Sequence, residues 1–339
     1  MRQLILFFVI MLTAGLAFGE KVVTLPELLR PKTITLDNDQ IYIGDDATVF
    51  VYSRNDYKLV TKFGKKGGGP QEFMVGPNAV LRIKRLPDGI MVNSLNKISF
   101  YTKKGEYIKE KKHSIMAGAG ELFPLGDQFV AMNFALDNKQ LYFTANIFDA
   151  ELNKTKELTR VEFVLKGQQV EVLQRAIYLE VGNDKIFVTG EKGFTVEVYD
   201  KTGKKLHTIS QDYEQLKFTD ADKEEILNFY KTNPDTRAAF EQIKSALLFP
   251  DRFPEIRSFH IDGKKLYVQT YKRENGKTEF YVFDISDNNG KLIKKVWLPI
   301  VMTIPLNQLQ LFSITDNKLY QVVENEDEEE WELHVAEIE

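Results

Sequence analysis

The sequence predicts an all-β protein: a closed ring of small antiparallel sheets with one helical hairpin inserted. Three observations predict it. One phrase, a tight turn followed by a short β-rich strand, occurs six times along the chain. Turn residues separate short strands at regular spacing. A spare strand near the N-terminus matches a strand missing near the C-terminus.

The six turn phrases begin at Asn38, Asp88, Gly126, Asn183, Asp262 and Asp316. Examples are Asn183-Asp184-Lys185-Ile186-Phe187-Val188 and Asp262-Gly263-Lys264-Lys265-Leu266-Tyr267. Asn, Asp and Gly supply such turns because they tolerate positive φ or bond their own backbone. A second strand follows each, as in Phe50-Val51-Tyr52, Val196-Glu197-Val198-Tyr199 and Tyr281-Val282-Phe283. The third unit, with Ile147-Phe148 and then Leu152-Asn153, is less regular. Each unit therefore holds about four strands. A lone four-stranded unit cannot bury both faces. Radial stacking can, which predicts a six-bladed β-propeller.

Closure follows from counting strands. The last unit offers Leu311 to Ile314, Leu319 to Val323 and Trp331 to Ile338, and then the chain stops. Lys21-Val22-Val23-Thr24-Leu25 precedes the first inner strand, Thr33 to Leu36, without a partner of its own. It is expected to complete the last blade, hiding two sheet edges at once.

One stretch is not β. Ile226, Leu227 and Tyr230 have helical spacing behind a candidate N-cap, Thr219. Asn233-Pro234 opens a second expected helix, with Phe240, Ile243 and Leu247 on one face. This hairpin, about 219–254, falls between the fourth and fifth blades. It is expected to cover the face that carries the blade crossings, packed against the fourth and fifth blades. The other conspicuous crossing is glycine-rich: Gly64, Gly67, Gly68 and Gly69, then Pro70 and Phe73. It reads as a reversal between the first two sheets, with the next strand opening at Asn78.

The stretch from Gly64 to Phe73, with its Gly-Pro-Gln-Glu-Phe junction, and the repeated turn-plus-strand phrase resemble the bacterial six-bladed β-propeller proteins related to NHL repeats. The likeness spans nearly all of the chain beyond residue 19. The resemblance implies an exported propeller. Some NHL-type relatives bind proteins or carbohydrates, and a few are metal-dependent lyases or lactonases.

The N-terminus reads as a secretory signal peptide, 1–19, ahead of a mature chain, 20–339. Arg2 precedes the apolar run Leu4 to Leu12, and Ala17-Phe18-Gly19 puts small residues at the cleavage site. The chain has no cysteine, which removes a lipoprotein anchor, disulfides and thiolate chemistry. Its net charge of −4 argues against nucleic acid as partner. The expected location is periplasmic or secreted, without stable membrane insertion, as a monomer.

Catalytic signatures are lacking. His113, His207, His260 and His334 fall in different units with no metal-ligand spacing. Gly64 to Gly69 lacks the Lys-Ser/Thr of a phosphate loop, and no Gly-x-Ser-x-Gly elbow occurs. The acidic run Glu324 to Glu330 reads as a hairpin tip or, alternatively, a weak calcium or basic-partner site. No cofactor and no metal site is predicted. Long loops gather on the face of the blade crossings, where binding is expected. Candidate ligand-binding residues are Arg82, Arg175 and Arg257, in or before inner strands, Arg252 in a crossing, and His260. Arginine near the axis suits a carboxylate or phosphate. The competing reading is ion pairing with acids such as Glu180 or Glu255. The function expected is an exported binding or scaffold module for a protein, peptide or carbohydrate. The alternative is a propeller hydrolase or lyase with an axial metal, which carboxylates and histidines converging at the channel mouth would favour.

Overall fold

The computed structural model describes residues 21–76, 80–113, 115, 121–233, 236–287, 289–300 and 311–339. The expected signal peptide lies outside them, as do Asn78, Ala79 and Pro234. Among the described residues there are six four-stranded antiparallel sheets. Their innermost strands are Pro31–Leu36, Arg82–Leu86, Leu122–Leu125, Leu179–Gly182, Ser258–Asp262 and Phe312–Thr315. Each innermost strand lies against that of the next sheet, and the sixth returns to the first. Sheets joined this way around an axis make a β-propeller.

The layers between sheets are apolar because each strand alternates its side chains. Ile41, Phe50 and Leu36 of the first sheet meet Tyr320, Val322 and Leu333 of the sixth. Val49 and Tyr42 meet Ile83 and Val92 of the second sheet. The same arrangement recurs around the ring to Tyr267 and Phe280 against Phe312 and Ile314. Each fully buried Leu, Ile or Phe stabilises by roughly 1.5–3 kcal/mol relative to exposure.

The ring closes as the strand count requires. Lys21–Thr24 pairs antiparallel with the third strand of the sixth sheet, from Lys21 opposite Val335 to Thr24 opposite Glu332. Leu25 continues the pairing, its N–H donating to the Trp331 carbonyl at 2.7 Å, and its side chain is buried beside Leu333 and Val335. The acidic run forms the turn between Lys318–Asn325 and Glu330–Glu337.

The glycine-rich crossing is built around Phe73. Gly64 has φ of 90°, and a Cβ there would stand 2.3 Å from the Phe73 ring. Lys97 fastens the loop from below. Its buried ammonium donates to the Gly69 carbonyl at 2.7 Å and pairs with Glu110 at 2.9 Å. The inner strand of the second sheet starts at Arg82, later than the sequence suggests. The ladder begins with Arg82 opposite Asn93, and just past the end of the partner strand the Leu95 N–H donates to the Met74 carbonyl at 3.3 Å instead.

Two helices lie in the chain between the fourth and fifth sheets, and the second differs from the expected one. Helix α1, Asp220–Thr232, begins at Thr219 with a reciprocal capping box to Asp222. The second helix is shorter than its apolar stripe implies. A 3₁₀ turn at Arg237–Ala239 leads into α2, Phe240–Ala246, and Leu247 leaves the helix. The cause is non-local: Leu247 and Leu248 pair in parallel with Val170 and Glu171. Phe240, Ile243 and Leu247 are consequently only half-buried. Ile226 of α1 instead anchors the insert, in a cluster with Phe218, Phe253, Val172, Leu173 and Tyr271. Tyr271 belongs to the fifth sheet. Val172 and Leu173 belong to the crossing from the third sheet to the fourth, so that crossing stands where the fourth sheet itself was expected.

Candidate functional site

In the second, fourth, fifth and sixth sheets the innermost strand offers an apolar flank to a neighbouring sheet and a polar flank to the channel, whereas Ile34 of the first sheet and Phe123 of the third are buried. In the second sheet Ile83 is buried, whereas Arg82 and Lys84 are half-buried. In the fourth, Leu179 is buried beside half-buried Glu180, and in the fifth Phe259 beside His260. The ladder registers put Lys84, Phe123, Glu180, His260 and Ser313 at one level, two residues before the last paired position of each strand. Thr35 of the first sheet donates to the Ile83 carbonyl at 2.9 Å beside that level.

Lys84 dominates the charge there. Its ammonium lies 2.7 Å from Glu121 and 3.6 Å from the centre of the Phe123 ring. Arg82 stands 3.9 Å from the same carboxylate. Buried Asn93 fixes this geometry: its amide donates to the carbonyls of Arg82 and Leu122 and accepts the Leu122 N–H. Burial alone would raise the Glu121 pKa, but Lys84 and Arg82 outweigh it and hold the carboxyl below the usual range. Glu180 goes the other way. Burial lifts its pKa, Lys84 opposes this only in part, and the Glu121 charge adds to the rise. His260 is pushed down to about 4 by burial and then by Lys84, so it is neutral at pH 7. Its ring leans on Phe312 at 4.7 Å. Arg82 Nε and His260 Nε2 are buried without a hydrogen-bond partner among the described residues.

Of the five residues read from sequence, three stand on or next to the polar flank of the inner strands. These are Arg82, His260 and Arg257, which precedes the fifth inner strand and lies 5.4 Å from the Tyr271 ring centre. Tyr271 shares a side-chain hydrogen bond with Tyr178, and burial raises the pKa of both phenols. The insert rests on Tyr271 through Phe253, their rings 5.0 Å apart. The other two are placed in crossings. Arg175 pairs with Glu255 at 2.5 Å and donates to the Gly190 and Gly193 carbonyls. Arg252 donates to the Gln215 carbonyl at 2.7 Å and bridges to Lys217, tying together the two ends of the insert. Lys84, Glu121 and Glu180 were missed as lining residues. The signal for them is the alternation Arg82-Ile83-Lys84 and Tyr178-Leu179-Glu180, polar residues flanking an apolar one on a short strand.

At the other end, where first and second strands of each sheet turn, the channel opens into a cavity of about 360 Å³. Asn38, Arg85, Glu180, Asn183, Ile261 and Asp316 are among its lining. A second, more open cleft of about 440 Å³ lies between Gly193–Thr195 and Ser210–Asp212 at the outer rim of the fourth sheet. It contains none of the axial groups. Among the described residues no three of His, Asp and Glu gather as a metal-binding group, and no helix is long and apolar enough to cross a membrane.

No protein-family model matches the chain, and no curated protein does. Solved structures similar to it include a member of the DUF4221 family from Bacteroides vulgatus, at 10% identity and TM-score 0.48, covering 94% of this chain and 95% of that one. The Pan2 WD40 domain of Neurospora crassa gives 10% identity and TM-score 0.40, over 90% and 88%. Hsv2 of Kluyveromyces lactis gives 13% identity and TM-score 0.38, over 91% and 98%. Likenesses this distant transfer no activity or partner.

Proposed function

We propose that the protein is an exported, monomeric six-bladed β-propeller of NHL-like kinship that works as a binding module. It takes part of a protein, peptide or carbohydrate ligand into its central channel. The observation that supports this reading is the level of Lys84, Glu180 and His260. Three ionisable groups from three sheets face one axial space, and Arg82 Nε and His260 Nε2 beside them are buried with no hydrogen-bond partner among the described residues. Buried polar groups of this kind are costly unless something satisfies them, and a ligand can. The helical insert and the long hairpins of the crossing face give a larger partner a second surface.

The test compares the folded wild type with Lys84→Ala and His260→Ala on peptide and glycan arrays. At least one ligand should bind the wild type and lose about tenfold or more in affinity in the Lys84 variant, the loss of one charged hydrogen bond. Binding indifferent to both substitutions, or turnover of a bound ligand by the wild type, would sink the reading.

A further inference from the structure

The lining of the tight-turn end, taken with the channel reading above, narrows the chemistry of the ligand and the face from which it arrives. Arg85 stands at this mouth, exposed, its guanidinium in no ion pair or hydrogen bond among the described residues. Two of the acids around it are engaged elsewhere, and the third, Glu180, lies within Coulomb range of Arg85 without an ion pair among the described residues. Asp262 accepts the N–H groups of Asp316 and Asn317 at 3.1 and 3.0 Å. Asp316 pairs with Arg54 at 2.7 Å. The guanidinium is therefore held in no ion pair among the described residues, and Glu180 is the acid of the lining that feels both it and Lys84.

We propose that this mouth binds a hydroxylated monocarboxylate of monosaccharide size, a sugar acid, with its carboxylate on Arg85. The planar fork of arginine matches a carboxylate bidentately. The remaining lining fits hydroxyl groups. Asn38 offers an amide, and Asn183 keeps its side-chain oxygen while its nitrogen donates to the Gly263 carbonyl at 2.8 Å. Glu180 forms part of the wall and takes hydroxyl donors. Val181 and Ile261 supply the small apolar strip that the C–H face of a sugar ring needs. The cavity is at the small end of ligand pockets. A dianionic phosphate would meet Glu180 across the same space, and a singly charged acid meets less repulsion.

Calorimetry on the folded protein with galacturonate, galactose and glucose 6-phosphate tests the proposal. Galacturonate should bind at least about tenfold more tightly than galactose, and Arg85→Ala should remove that difference, with Arg85→Lys restoring part of it. Arg85 is exposed, so an unchanged melting curve should accompany the loss. Equal binding of galactose and galacturonate, preference for the phosphate, or an Arg85→Ala variant that binds as the wild type overturns the sugar-acid assignment. So does the failure of galacturonate, glucuronate and gluconate alike to bind. If those acids fail while an array ligand still binds in a Lys84-dependent way, the channel reading stands and only this assignment falls. If neither binds, both fall.

Discussion

Neighbouring residues on one inner strand live in opposite environments. Ile83 is sealed in the layer between the first and second sheets, and Lys84, next in sequence, faces the channel. Leu179 and Glu180 repeat the contrast, as do Phe259 and His260. The difference teaches how a propeller divides its labour. One flank of each inner strand supplies cohesion between sheets. The other flank contributes little to cohesion, so it can carry charges that no packed interior would accept.

The contrast is sharpest for Phe259, 2% exposed in the layer between the fourth and fifth sheets. Phe259→Ala should cost about 3–5 kcal/mol in urea unfolding, through lost transfer and a residual cavity. Ser313→Ala, on the polar flank, should stay within about 0.5 kcal/mol. Similar losses for the two would break the division.

The seam of the sixth sheet comes next in size. Leu25→Ala removes the buried end of the closing strand and should cost about 2–5 kcal/mol. Hydrogen exchange should then rise first in Glu330–Glu337, the strand whose edge the N-terminal strand covers. Uniform loosening of all six sheets would show that the seam is no weaker than the other sheets.

Those features were legible in the sequence because they are local or countable. The turn phrases work one at a time: Asn183, Asp184, Asp316 and Asn317 do adopt positive φ. The seam needed only a count of strands. Thr219 announced its helix because a capping box is complete within four residues. Leu247 was misread because its conformation is set by pairing with Val170, far away in the chain. The candidate site divided along the same line. Arg82, Arg257 and His260 could be assigned to inner strands, and the competing reading of ion pairing with Glu255 holds for Arg175, but the carbonyl partners of Arg175 and Arg252, Gly190, Gly193 and Gln215, depend on the crossings. Lys84, Glu121 and Glu180 needed knowledge of which flank faces the axis, and only the closed ring settles that.

The smallest expected effect bears most directly on the polar flank, because its sign is opposite to that of the core substitutions. Burial raises the Glu180 pKa above its unfolded value, with Lys84 opposing in part. The folded state therefore holds its proton over a pH range in which the unfolded state has released it. Below the unfolded value neither state is penalised, and as pH rises toward and through the folded value, ionisation costs the folded protein stability. Glu180→Gln keeps the shape and removes the ionisation. It should match wild-type stability near pH 4 and exceed it at pH 7–8 by on the order of 1 kcal/mol, read as a higher melting temperature. The same variant should bind any channel ligand that donates to the carboxyl less well. A variant less stable than wild type at pH 8 would mean that the Glu180 carboxylate, beside Lys84, holds the ring together, and the polar flank would then be structural after all.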